Sequence, residues 1–328
     1  MPLVSVIVPV FGVEKYIERC VRSLMLQTLN DVEFIFVNDC TQDSSMAILQ
    51  SVLEKFPSRR DQVYIINHEQ NMGLPAARQS GLKKATGKYI LHCDSDDWLE
   101  LNCCEVAFNI ARNTDADIVV FKYWIDNGES RFEDNSYNDS YLAVKDMAMS
   151  SAISLSSSPY VWNKLVKNTI YDNSIEFPKY NLAEDWVLSV QFARYSRKTV
   201  CIEDRLYHYF RSQSSIMGNG TVDAYFKRCA DDFANVTLIC KWLNENDLLN
   251  KFKWEVVKRK TVSKNHLLPI ICNKQASKRW RRTFPEINFN AMLCPYFDMR
   301  YKVKYLMLVI GLYRPYRILR HYISAEKG

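Results

Sequence analysis

The chain has 328 residues, 48% hydrophobic and 24% charged, with only nine glycines, which excludes a fibrous, low-complexity or disordered chain. Its net charge is +6, and from Lys274 onward twelve Lys and Arg face three acids, so the basic excess lies at the C-terminal end and calls for an acidic partner, either nucleic acid or an anionic membrane surface. Ten scattered cysteines form no Cys-x-x-Cys pair, which gives no support to a zinc ribbon or redox dithiol, and "MPLVSVIVPVF" lacks the basic start and cleavage site of a secretory leader, so reduced thiols in the cytoplasm are expected.

"LVSVIVPV" (3–10) is a β-branched run with a proline near its end and predicts a buried strand. Val13, Ile17, Val21 and Leu24 recur at helical spacing, predicting a helix to about Leu29. "VEFIFVN" (32–38) is a second strand, after which Asp43 can cap a helix over 44–56. "VYIIN" (63–67) is a third strand, and "LPAARQSGLKKAT" (74–86) a helix that Gly87 ends. "KYILHC" (88–93) is a fourth strand and runs straight into "DSDDW". A helix over 99–113 and a strand over 117–124 follow. This β-α-β-α rhythm predicts a mostly parallel sheet with right-handed crossovers, whose ligands bind outside the carboxyl ends of the strands. From Asp126 to Pro159 the chain is polar and Ser-rich, predicting loops, short helices and an insertion. Order resumes over 160–196, and after about residue 220 the pattern is helical. "VKYLMLVIGLY" (303–313) is too short to span a bilayer. With Arg314, Arg317 and Arg320 behind it, it can lie on a membrane surface or pack as a helix with a solvated basic face.

Four clusters carry possible chemistry. Asp94, Asp96 and Asp97, with Ser95 among them, crowd three carboxylates at a strand end, where like charges repel. Hard oxygen ligands there suit Mg²⁺ or Mn²⁺ carrying a nucleotide's phosphates; the alternative is a solvated turn with Asp97 capping a helix near Leu99. In "VNDCTQDSS", Asp39 sits at a strand tip, where it can accept a hydrogen bond from a base N–H or belong to a plain turn. In "NMGLPAARQSG", Arg78 can meet a diphosphate or be an exposed helical arginine. In "AEDWV", Glu184 or Asp185 can be a general base, or both can be first-turn acids favoured by the helix dipole.

Taken in order, these stretches resemble family 2 glycosyltransferases of the GT-A fold. The first strand-helix-strand, the block "NMGLPAARQSGLKKATGKYILHCDSDDW" ending in a D-x-D motif, "WNKLVKNTI", "LAEDW" and "LYHYFRSQSSIM" (206–217) carry the resemblance over residues 3–217. It implies a GT-A domain over 1–217, with nucleotide-sugar binding in 1–125 and the acceptor side in 126–217, followed by a helical, basic region over 218–328. It implies an inverting hexosyltransferase that uses a nucleotide-sugar, a UDP-sugar by expectation, and Mn²⁺ or Mg²⁺. The acceptor is a hydroxyl of a glycan or lipid-linked sugar in surface polysaccharide synthesis, not nucleic acid, with peripheral contact at the inner membrane face through the C-terminal tail. Residue by residue, Pro9 and Val10 shape the nucleotide pocket wall and Asp39 contacts the uracil. Arg78 meets the diphosphate or holds the pocket. Asp94 touches the ribose or the metal, with Ser95 beside it, and Asp96 binds the metal. Asp185 is the base, with Glu184 next to it. His208 is a third metal ligand, and Arg211 and Ser215 reach the phosphates. Asn38, Cys40 and His92-Cys93 depart from the family pattern, Cys40 standing where glycine is common.

Two other readings compete. A nucleotidyltransferase that makes a nucleotide-sugar needs a Gly-rich basic loop after the first strand, and "PVFGVEKY" offers one glycine. A non-catalytic sugar-nucleotide binder is separated from an enzyme by donor hydrolysis.

Overall fold

A computed structural model describes residues 1–211, 221–313 and 315. The chain divides into two compact units, Met1–Gln213 and Ser214–Gly328.

The first unit is built on β1 (Val4–Val10), β2 (Val32–Asn38), β3 (Val63–Asn67) and β4 (Tyr89–His92), paired in parallel in the order β3-β2-β1-β4. Every residue of β1 and β4 is buried, which matches strands that are apolar on both faces rather than alternating. Helix α1 (Ile17–Met25) buries Ile17, Cys20, Val21 and Leu24, the i, i+3, i+4, i+7 stripe of a helix lying on a sheet. Helices α2 (Ser45–Leu53) and α3 (Leu74–Lys84) complete the crossovers. The N-cap of α2 is Ser44 rather than the expected Asp43, which lies one residue earlier and accepts from the Ser45 N–H. Helix α3 ends at Lys84, so Gly87 is not its cap. Gly87 is small for another reason: a Cβ there would lie 2.7 Å from the Ser5 backbone nitrogen. Buried Glu33 gathers the Ser5 hydroxyl and the Thr86 and Gly87 N–H groups there, fixing the entry to β4.

Beyond β4 the sheet is mixed rather than mostly parallel. After the short β5 (Trp98–Leu99) and α4 (Cys103–Thr114), β6 (Ile118–Asp126) forms, with β7 (Arg131–Glu133) as its antiparallel partner. Helix α5 (Lys145–Ile153) lies in the Ser-rich insertion. Strand β8 (Lys164–Lys167) then inserts antiparallel to both β4 and β6. The chain reaches β8 from that insertion and not through a parallel crossover helix, so it runs opposite to its neighbours. Helix α6 (Glu184–Tyr195) and β9 (Thr199–Phe210) follow, β9 parallel to β6 and antiparallel to β5.

The second unit is helical in its described residues: α7 (Val222–Glu245), α8 (Lys253–Asn265), α9 (Lys274–Arg282), α10 (Asn290–Leu293) and α11 (Met299–Ile310). Side chains of Thr221, Asn273 and Asp298 cap α7, α9 and α11. Its core includes the fully buried Trp280, edge-on to Tyr305 at 5.1 Å, and a buried Arg259–Asp232 ion pair. Among the described residues no helix is long and apolar enough to cross a membrane.

Candidate active site

The carboxyl ends of β1, β2 and β4 share one edge of the parallel sheet, and α3 and α6 contribute to it. Arg78 projects from α3 and is only 1% exposed. Its Nη2 donates to Asp94 at 2.7 Å, and its Nη1 to Glu184 at 2.9 Å and to Asp185. One guanidinium therefore joins the end of β4 to the first turn of α6. Three opposite charges hold it protonated against the burial that works the other way. Arg78 thus holds the pocket walls together here, while its buried Nε–H has no partner among the described residues.

Glu184 and Asp185 open α6 after Ala183, whose left-handed φ of 66° turns the chain into the helix. Burial lifts both carboxyls above the usual range, and Arg78 opposes that rise. The second Asp185 oxygen accepts a long bond of 3.4 Å from the Val161 N–H. A carboxylate of raised basicity, oriented by an arginine and a backbone amide, is suited to proton abstraction.

The acidic turn separates its members by environment. Asp97 is fully buried, accepting from the Tyr207 hydroxyl at 2.6 Å and the Phe210 N–H at 2.7 Å. It pins β9 to the turn; α4 starts later, at Cys103, so Asp97 caps no helix near Leu99. The same Tyr207 hydroxyl accepts from the Asp94 N–H. Ser95 is buried in this turn. Asp96 differs: its carboxyl is pushed up to about 6 by burial and by Asp94. The nearest cation, Arg19, spends its Nη2 on the Asp96 backbone oxygen instead, at 3.3 Å. A half-buried carboxylate beside a second one, with no salt bridge among the described residues and only the Arg19 charge acting on it, is a donor set that fits a hard divalent cation. Among the described residues no group of three His, Cys, Asp or Glu is arranged to hold a metal. One or two carboxylates completed by a diphosphate need no such group.

His208 does not join Asp96. Its Nε2 lies 2.8 Å from Glu100 Oε1, and its ring stacks on Trp98 at 4.7 Å with planes 7° apart. The β5–β9 pairing directs the His208 ring to Trp98 and Glu100, and its buried Nδ1 has no partner among the described residues. Pro9 and Val10 are wholly inside the sheet, and the Val10 carbonyl accepts from the Asp39 N–H at 3.0 Å. Neither presents an open wall; Phe11, next in the chain, is 52% exposed. Asp39 accepts from the Met72 and Gly73 N–H groups, both at 2.8 Å, and faces His68 Nδ1 at 2.7 Å. It organises the loop before α3 and is 3% exposed. Cys40 does adopt the left-handed region, φ 59°, where glycine is favoured. Arg211 is exposed at the end of β9, and Ser215 lies outside the described residues.

Sequence reasoning missed Arg19, whose guanidinium lies 3.5 Å above the Trp98 ring and 4.6 Å from that of Phe210. A cation one residue from the buried stripe of α1 was the available signal. It also missed Tyr207, which joins Asp94 to Asp97, and buried Lys164, whose Nζ donates to the Ser158 and Tyr160 carbonyls and to Asn163.

A sheet of this topology, with acids from the end of β4 and from α6 meeting at its carboxyl edge, is the GT-A fold. The chain belongs to glycosyl transferase family 2, whose model matches residues 5–175. It is similar to the putative glycosyltransferase EpsH of Bacillus subtilis, 27% identical over 89% of this chain and 83% of that protein. The fold is also that of S. aureus TarS, with TM-score 0.67 and 19% identity over 96% of this chain and 54% of TarS; the chain spans about half of that protein. TarS 1–349 in complex with UDP-GlcNAc aligns with TM-score 0.60 at 17% identity, over 96% of this chain and 90% of that one. A mannosyltransferase from Pyrobaculum calidifontis, in complex with GDP-Man and Mn²⁺, aligns with TM-score 0.52 at 13% identity, over 95% and 87% of the two chains.

Proposed function

We propose that the chain moves a sugar from a UDP-sugar, with inversion at the anomeric carbon, to a hydroxyl of a glycan or lipid-linked acceptor in surface polysaccharide synthesis. Residues 1–125 take the donor, 126–217 the acceptor, and 218–328 form a helical appendage. The observation that carries this reading is the charge imbalance at the sheet edge. Three carboxylates, Asp94, Glu184 and Asp185, meet one guanidinium, and beside them Asp96 has no salt bridge among the described residues, only the charge of Arg19 acting on it. The UDP-GlcNAc complex of TarS supports a UDP-sugar, and the Mn²⁺ complex of the mannosyltransferase supports a divalent cation.

Asp96, with Asp94, holds Mn²⁺ or Mg²⁺, which when bound neutralises charge developing on the leaving diphosphate. Asp185 takes the proton of the acceptor hydroxyl as that oxygen attacks the anomeric carbon. The bond from that carbon to the diphosphate oxygen breaks, and UDP departs with its electron pair. Arg78 orients Asp185 and Asp94 relative to each other. The protein works in the cytoplasm at the inner membrane face. The exposed Met299, Val303, Leu306 and Ile310 of α11, amid the basic C-terminal sequence, support that peripheral contact.

UDP release from a panel of UDP-sugars with Mn²⁺ or Mg²⁺ tests the reading. Asp96→Ala should lower metal-dependent turnover by about 10²–10³-fold while the fold persists. Turnover near wild type in Asp96→Ala would remove the assignment.

A further inference from the structure

The helical unit carries a groove of about 500 Å³ between α7 and α9, lined by none of the residues of the sheet edge. Its two walls differ in chemistry. From α7 come Phe226, Ala230 and Phe233, at i, i+4 and i+7, with Phe233 39% exposed. From α9 come Lys278, Arg279 and Arg282, at i, i+1 and i+4. The Arg279 guanidinium lies 5.0 Å from the Phe226 ring, and Phe233 is backed by a stacked Phe284 at 4.5 Å. No acid lines the groove. Among the described residues none of the three basic side chains forms a salt bridge, although buried Asp232 on the same α7 is matched by Arg259.

Three unneutralised cations along one wall and an aromatic wall opposite suit an amphiphile with an anionic head. The cations gather phosphate oxygens in charge-assisted bonds, and the phenyl rings cover hydrocarbon. The geometry points to a binding site for an anionic membrane phospholipid in this groove, phosphate against Lys278, Arg279 and Arg282 and chain against Phe226 and Phe233. It deepens the membrane contact of the proposed function by naming the element that recognises the headgroup. It does not depend on the donor chemistry.

The test is vesicle co-sedimentation of the full-length protein, using phosphatidylcholine with and without phosphatidic acid. The wild type should bind only the acidic vesicles. Each basic residue near an anionic surface contributes about a fivefold factor, so Lys278→Gln/Arg279→Gln/Arg282→Gln should weaken binding by about 100-fold. A control with the same charge loss elsewhere in the unit, Lys241→Gln/Lys251→Gln/Lys253→Gln, should retain most of it. If the triple groove variant has lost its helical circular dichroism, Arg282→Gln alone should still weaken binding about fivefold. Phe233→Ser should weaken vesicle binding and leave protection of the groove by inorganic phosphate unchanged, which separates a lipid site from a free-phosphate site. Equal loss in the control set, or undiminished binding by the groove variant, overturns the groove while leaving a diffuse membrane contact standing. No binding of the wild type to acidic vesicles sinks both. Displacement of vesicles by a single-stranded RNA oligonucleotide that binds more tightly would assign the groove to nucleic acid and overturn the lipid.

Discussion

The molecule buries an arginine against acids in two places and does so differently. In the helical unit Arg259 meets Asp232, with His266 3.6 Å from the other oxygen, and charge closes on itself. Both partners are at most 3% exposed, and the aspartate is held below the usual carboxylate range, its burial outweighed by Arg259, His266 and Ser263 together. At the sheet edge Arg78 meets three carboxylates, and those of Glu184, Asp185 and the neighbouring Asp96 are pushed above that range, burial acting first. A balanced buried pair is a structural fastener. A site left net negative is incomplete until something positive arrives, and that is what a reaction centre needs.

The comparison breaks most visibly if Arg78 is removed. Arg78→Leu strands three carboxylates and should cost about 3–5 kcal/mol of unfolding free energy, read from denaturant midpoints, and abolish turnover. Asp185→Asn should leave stability near wild type and lower transfer to an acceptor by about 10²–10⁴-fold at unchanged donor affinity. In the helical unit Asp232→Asn should cost about 1.5–3 kcal/mol and leave UDP release per folded molecule unchanged. A loss of donor turnover there would mean that the two arginine sites are not separate in role. The smallest effect is a position on the pH axis. A base must be ionised to accept a proton, and burial raises the Asp185 carboxyl. The acid limb of the transfer rate should therefore fall at a pH above the ordinary carboxylate range. A limb within that range would show that the pair is solvated during turnover.

Much of the sheet edge was legible because its signals are local. The apolar runs of β1, β2 and β4 and the turn residues behind them lie within a few positions of one another, and Cys40 announced a strained turn by standing where glycine is common. What failed depended on distant pairing. Asp97 looked like a helix cap in sequence, yet its partners Tyr207 and Phe210 arrive from β9, about a hundred residues away. The neighbours of His208, Trp98 and Glu100, likewise come only from the β5–β9 register. Strand β8 has four residues, too few for a period, so its antiparallel insertion left no trace to read. Arg78 carried a signal of the right residue type, but only the fold shows that its partners are Asp94, Glu184 and Asp185.

The most direct measurement is Mn²⁺ binding followed by electron paramagnetic resonance in the presence of UDP, with wild type and Asp96→Asn compared. One Mn²⁺–UDP should bind per wild-type chain and be lost in the variant, with thermal stability retained. Equal Mn²⁺–UDP binding in both proteins would show that the unpaired carboxylate of Asp96 is not where the missing positive charge goes.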